Sequence, residues 1–179
     1  TRDPKEILAA DKVVLPGVGS FGDAMENLHH FGLVPVIHQV VQEKTPFLGI
    51  CLGLQLLFEK SEESPGVEGL GILKGEILRI PAAEGLKIPH MGWNNIRFPN
   101  KGRLFAGVPE DAYVYFVHSY YLKAQDEKIV TATTEYGTHI HASVESGNLF
   151  ACQFHPEKSS HVGLQILKNF AKLEGKGGR

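Results

Sequence analysis

Sulfur and indole are scarce in this chain: it has 2 cysteines, 2 methionines and 1 tryptophan in 179 residues. Two thiols make at most one disulfide, and a chain this long buries enough core to do without one. The expected setting is a reduced cytoplasm, where a thiol stays free to react. No apolar run approaches the roughly 20 residues needed to span a bilayer, and no secretory leader is visible, so no membrane partner is expected. An excess of charge of one sign is also lacking. Lys and Arg number 18 against 20 Asp and Glu, a net charge of −2. That balance gives no reason to expect nucleic acid or an anionic surface as a partner. The 9 histidines are dispersed, and only His139 and His141 alternate closely. No cysteine or carboxylate completes a ligand set around them, so they read as one face of a strand, with no metal and no cofactor expected.

What is present is an ordinary globular composition, 42% apolar and 21% charged, which suits one domain over residues 1–179. Residues 12–15 predict a short buried strand, ended by Pro16-Gly17-Val18-Gly19. Two helical stretches follow. In the second, Leu33, Val36, Ile37, Val40 and Val41 recur at helical spacing. Pro46 breaks that pattern before an apolar run over 46–50, and residues 52–59 read as a helix. Residues 61–71 are a loop by composition. From 72 to 144 the pattern is strand-rich, most clearly at 113–118 and 129–133. Residues 149–154 form one more strand. Ser159 or Ser160 is placed to cap a last helix whose Leu164, Leu167 and Phe170 face inward. The tail over 174–179 is expected to be mobile. Strand, helix and strand in the first third imply a parallel sheet with right-handed crossovers, and the middle looks antiparallel. The expected fold class is α/β: a mostly parallel twisted sheet flanked by helices, with an antiparallel portion.

The chemistry gathers at two places. Cys51 lies in Gly49-Ile50-Cys51-Leu52-Gly53, where a strand turns abruptly into a helix. This is a nucleophile-elbow layout with sulfur in place of a serine oxygen. A free thiol has a pKa of about 8.5, and a helix N-terminus and a nearby imidazole would both favour the thiolate. A structural cysteine between packing glycines fits the same five residues. Cys152, inside the run 149–154 and without flanking glycines, reads as plain core. His155-Pro156-Glu157 follows that run. Positions i and i+2 of an extended segment point the same way, and Pro156 stiffens the pair. Glu157 can then hold the His155 ring while its other nitrogen faces sulfur, although a surface turn with an incidental histidine fits as well. Thiol, imidazole and carboxylate are the three parts of a thiol acyl-transfer site. Sites in parallel sheets gather at the carboxyl ends of strands. Residues 16–19 are a third such end, and their glycines let a backbone N–H aim at an oxyanion beside the N–H of Leu52.

Gly49-Ile50-Cys51-Leu52-Gly53-Leu54-Gln55 and Phe154-His155-Pro156-Glu157-Lys158-Ser159 together resemble the class I (triad) glutamine amidotransferases. Three further stretches narrow the likeness to the glutaminases that serve imidazole glycerol phosphate synthesis. They are Pro16-Gly17-Val18-Gly19-Ser20-Phe21-Gly22, Pro89-His90-Met91-Gly92-Trp93-Asn94 and Tyr115-Phe116-Val117-His118-Ser119-Tyr120. The likeness runs from about residue 12 to 170. It implies that Cys51 attacks the side-chain amide of glutamine, that His155 shuttles protons and that Glu157 orients it. It implies oxyanion donors at the amides of Val18 and Leu52, after a flip of the loop at Gly17-Val18. It also implies contacts to bound glutamine from Gly19, Gln55, Glu63, His118, Ser119 and Tyr120. By residue type alone, Gln55 and Glu63 read as solvent-facing.

The resemblance further implies a partner: a cyclase subunit with a (β/α)8 barrel, which receives ammonia through a channel and forms imidazole glycerol phosphate and AICAR in histidine biosynthesis. Trp93 and Tyr115 match aromatic positions at the face toward it, and a core tryptophan is the other reading of Trp93. The family opens with a strand and a helix that this text lacks, so a shortened start is expected. Three other readings stay open: glutaminase of a guanylate, anthranilate or carbamoyl phosphate synthetase; a stand-alone thiol hydrolase; and a non-catalytic module with a relic site.

Overall fold

A computed structural model describes residues Thr1–Lys176. The chain opens with α1 (Pro4–Ala9), where Asp3 accepts from the Lys5 amide and Pro4 occupies the first turn. Strand β1 (Val13–Gly17) and helices α2 (Phe21–His30) and α3 (Leu33–Gln42) follow, then β2 (Phe47–Cys51) and the short α4 (Leu52–Leu56). The middle holds β3 (Lys60–Ser61), β4 (Gly75–Arg79), β5 (His90–Asn95), β6 (Tyr113–His118), β7 (Tyr120–Ala124), β8 (Val130–Glu135) and β9 (His139–Ser146). Strand β10 (Leu149–Cys152) and helix α5 (Ser160–Lys172) close the fold.

The main sheet runs β1-β2-β10-β9-β7-β4-β3, with β8 paired onto β9, and β5 and β6 form a separate ribbon. Pairing is parallel for β1, β2 and β10 and antiparallel from β10 through β9 and β7 to β4. The helices cover both faces. Because side chains alternate along a strand, Phe47 joins the core under α2, α3 and α4, while Leu48 and Ile50 join the core under α5. Strand β2 is buried at every residue, as a strand covered on both faces must be. The register sets Gly17 opposite Cys51 and Cys152 opposite Ile50, so three carboxyl ends meet along one edge.

Three sequence expectations need correction. Strand β1 is half-buried, with an alternating pattern, because Val13 and Leu15 pack against the core under α2, α3 and α4 while Val14 on the other face is exposed. The helix after Cys51 stops at Leu56 and not at Glu59. The carbonyls of Leu56, Leu57 and Phe58 accept from the amides of Leu70, Ile72 and Gly71, so they cannot serve a further helical turn. In α5 Phe170 is inward as expected and Leu167 packs half-buried against the same core, but Val162 and Ile166 complete the buried face and Leu164 is 64% exposed. Gly163 fixes that phase: a Cβ there would lie 1.8 Å from the Pro156 carbonyl oxygen. In the tail, Lys176 bonds to the Leu8 carbonyl and pairs with Glu43; Gly177 to Arg179 lie outside the described residues.

Candidate active site

The geometry starts with the backbone at Cys51. Its φ of 55° and ψ of −109° are rare for a side chain with a Cβ, and they turn β2 directly into α4. The flanking glycines make the turn possible. A Cβ on Gly53 would stand 1.9 Å from the Leu15 carbonyl oxygen, and one on Gly49 would stand 2.7 Å from that of Gly53. Both glycines do serve packing, and the packing they permit is the elbow itself.

The sulfur sits among donors and acceptors of the protein. Gln153 Nε2 donates to it at 3.6 Å, and its own S–H faces the Val117 carbonyl at 4.0 Å. The Leu52 amide also favours negative charge there. Burial outweighs these donors and pushes the thiol up to about 11, with the Glu157 carboxylate adding to the rise. The expectation of a resting thiolate is therefore reversed: desolvation of the ionised sulfur dominates over one short helix terminus. Cys152 is fully buried in the α5 core, and burial raises its thiol as well.

His155 follows the end of β10. Its amide donates to the Tyr115 carbonyl at 2.9 Å, which ties it to β6. Its Nδ1 lies 2.6 Å from Glu157 Oε1. The carboxylate accepts there, so Nδ1 carries a hydrogen, and in the neutral ring Nε2 is the acceptor. That Nε2 is the one sealed side-chain atom without a hydrogen-bond partner among the described residues. The pair meets around a 3-10 turn at Pro156–Lys158 and not along an extended segment. Ser159 holds the turn: its hydroxyl donates to the His155 carbonyl and accepts from the Tyr115 amide.

Cys51 and His155 line one cavity of about 370 Å³. Val18, Gly19, Leu52, Gln55, Glu63, His118, Ser119 and Tyr120 line it too, with Glu157 behind the ring. Every residue that the sequence assigned to substrate or oxyanion contact therefore faces one space. Two of them differ in setting from their residue type. Gln55 is buried, and its amide nitrogen donates to Tyr120 O and Gln153 Oε1. Glu63 accepts from the Phe21 amide at 2.8 Å, at the positive end of α2.

His118 belongs to a directional chain. The Tyr120 carbonyl can only accept, so His118 Nδ1 donates to it at 2.8 Å. His118 Nε2 then accepts from His90 Nδ1 at 3.0 Å, and His90 Nε2 accepts from Asn94 at 3.3 Å. Burial lowers His90 to about 4 and His118 to about 3, which keeps both neutral. Trp93 and Tyr115 lie outside the cavity, on the β5–β6 ribbon, where their rings meet edge to face. Trp93 is 53% exposed and flanked by exposed Met91 and Tyr113, so it is no core residue. His139 and His141 share β9; His141 accepts from the Ala124 amide and His139 pairs with Glu135.

The comparisons agree with this geometry. The sequence matches the glutamine amidotransferase class-I family over residues 2–173. The chain belongs to the class-I glutamine amidotransferases. Among its curated relatives is the imidazole glycerol phosphate synthase subunit HisH of Moorella thermoacetica, 57% identical over 173 residues, which are 97% of this chain and 81% of that one. The subunit of the same name from Methanocaldococcus jannaschii is 48% identical over 97% of this chain and 86% of its own. A crystal structure of a glutamine amidotransferase superposes with a TM-score of 0.70 at 19% identity, over 96% of this chain and 85% of that chain. The glutaminase domain of Trypanosoma brucei CTPS with bound acivicin gives 0.65 at 19% identity, over 96% and 75%. These last two share the fold.

Three residues of this amidotransferase were not singled out by sequence. Gln153 is fully buried beside the sulfur. The available signal was an amide inside an apolar run, two residues before His155. Ser159 reads by sequence as one of two candidate helix caps, yet its hydroxyl joins β6 to the turn after His155. His90 lies in a quoted motif, but nothing in its spacing reveals a ring-to-ring bond with His118.

Proposed function

We propose that this amidotransferase hydrolyses glutamine at Cys51 and serves as the glutaminase subunit of an imidazole glycerol phosphate synthase. One observation carries the chemistry: a thiol on a strained elbow and an imidazole with an unused, sealed Nε2 line the same cavity. The relatives' names carry the pathway.

The Cys51 proton passes to His155 Nε2, and the thiolate attacks the side-chain amide carbon of glutamine. The Leu52 amide, and the Val18 amide after its loop turns, donate to the oxyanion, each worth about 3 kcal/mol of barrier. The imidazolium returns the proton to the departing nitrogen, the C–N bond breaks, and ammonia leaves behind a γ-glutamyl thioester. Water gives one proton to the imidazole and adds to the thioester. The C–S bond then breaks, sulfur regains a proton, and glutamate departs. The balance is glutamine plus water to glutamate plus ammonia. Glu157 keeps the ring in the required tautomer throughout. Gly19, Gln55, Glu63, Ser119, Tyr120 and the backbone of His118 hold the amino-acid head of the substrate. Both His118 ring nitrogens are already bonded within the protein.

Ammonia in water is quickly protonated, so it passes directly to a cyclase subunit with a barrel fold. Trp93 and Tyr115, with exposed Met91 and Tyr113 beside them, form the docking face for that partner, since an aromatic cluster of this kind suits an interface anchor. The ribbon reaches the site through the Tyr115 and Val117 carbonyls, which accept from His155 and Cys51.

The test is mass spectrometry after exposure to a glutamine-mimicking electrophile, with turnover measured in parallel. Cys51 is labelled and Cys152 spared, and Cys51→Ala removes glutamine hydrolysis with the cyclase bound. Hydrolysis surviving in Cys51→Ala, or label confined to Cys152, overturns the reading.

A further inference from the structure

We propose that Gln153 is a positioning residue for the nucleophile: its side-chain amide, locked in direction by Gln55, donates to Cys51 Sγ and links ligand capture in the cavity to the reactivity of the sulfur. Gln153 is fully buried, where an unpaired amide would be costly, so its partners define its purpose.

The direction of the network follows from one backbone carbonyl. Tyr120 O can only accept, so the Gln55 side-chain atom 3.1 Å away is nitrogen. The second hydrogen of that amide goes to Gln153 at 3.0 Å, so the Gln153 atom there is oxygen. The other end of Gln153, 3.6 Å from Sγ, is therefore N–H. Turning Gln153 over would oppose two NH2 groups, and turning both amides would oppose two oxygens at Tyr120. The order Tyr120 O, Gln55, Gln153, Cys51 is thus fixed in one sense.

The network starts in the cavity and ends on the sulfur. Gln55 and Tyr120 both line the cavity. The Gln55 carbonyl oxygen has no protein partner among the described hydrogen bonds, yet His155 Nε2 alone is sealed and unpartnered among the described residues, so that oxygen is reached from the cavity. A ligand N–H bound there polarises the Gln55 amide, which strengthens the bond to Gln153 and then to sulfur. Gln153 makes and breaks no covalent bond. It lowers the cost of negative charge on Sγ when the thiolate forms and again when the thioester collapses. No titrating group is needed, so the effect persists at every working pH.

The inference rests on Cys51 being the nucleophile, but its test needs no glutamine. Cys51 alkylation by iodoacetamide is followed from pH 7 to 9 by mass spectrometry on the full chain. In this range, below the thiol midpoint, rate tracks the thiolate fraction. A hydrogen bond to a charged group is worth on the order of one pKa unit. Gln153→Met should therefore slow alkylation about tenfold at each pH, with the slope against pH unchanged. Gln55→Met should slow it severalfold, because Gln153 loses its lock. The double variant should be no slower than Gln153→Met, since both act through one bond. In the holoenzyme, Gln153→Met should lower kcat for glutamine with little change in KM. Rates that superimpose on the parent in folded variants overturn the inference, as do effects that add in the double variant. If Gln153→Met does not fold, as judged by near-ultraviolet circular dichroism, Gln55→Met alone decides, and an unchanged rate there overturns it. A chain that shows these shifts without turning over glutamine overturns the amidotransferase reading instead and leaves this inference standing.

Discussion

At the scale of single residues, the site depends on what is missing beside Cys51. Gly53 lets α4 lie against the Leu15 carbonyl, where a Cβ would stand at 1.9 Å. Gly53→Ala is expected to destabilise the fold by roughly 3 kcal/mol, because the intruding contact is backbone and cannot swing away. Gly147→Ala is the control: its φ is 58° but nothing lies near its Cβ, so only about 1 kcal/mol of backbone strain is expected. Urea titration of both variants measures the difference, and equal losses would contradict the close-approach argument. The five-residue motif around Cys51 was legible because these glycines are written in the sequence. The state of the sulfur was not. Whether a thiol ionises depends on how much water the folded chain removes, and spacing does not encode that. Gln153 escaped for a related reason: a buried amide is recognised by its partners, which lie about 100 residues away along the chain.

At the scale of elements, the β5–β6 ribbon joins the cavity to the surface through two neutral imidazoles. Their pKa values, about 4 for His90 and about 3 for His118, lie below the ordinary 6.5. The unfolded chain takes up these protons below about pH 6.5 while the folded chain does not. Their contribution to stability is therefore present above pH 6.5 and is lost as pH falls toward 4 and then 3. Denaturant unfolding at fixed salt should show stability falling by a few kcal/mol between pH 7 and pH 4, with the ribbon's aromatic signals changing in the same range. Flat stability across that range would contradict a buried neutral pair. Tyr113 to His118 was legible as a strand from its alternation. The length of α4 and the phase of α5 were not. Tertiary bonds to the carbonyls after Leu56 end the first, and the approach of Gly163 to Pro156 turns the second.

Across the whole molecule, a parallel core of three strands delivers the reactive groups to one edge, and the antiparallel remainder carries the ribbon. Strand–helix–strand order made the parallel part predictable, and alternation made the rest readable as strands. The pairing of β9 with β10, β7 and β8 was not, since register between distant strands is set by the shared core and not by local pattern. The exposed residues Met91, Trp93 and Tyr113 lie outside the cavity lining, on the face proposed above for docking. Trp93→Ala is expected to weaken the complex with the proposed partner subunit by about 2 kcal/mol, roughly thirtyfold in Kd by titration calorimetry, while Cys51 alkylation of the free chain is unchanged. Unaltered affinity would place the docking face elsewhere.

The buried thiol at Cys51, held up to about 11, has one more consequence. Peroxides attack thiolates far faster than thiols, and the first oxidation product leads on to irreversible acids. In the mechanism proposed above, a nucleophile that stays protonated while idle and ionises only as it hands its proton to His155 is disarmed between turnovers. The desolvation that disfavours its ionisation is thus also a shelter from oxidants that attack thiolates.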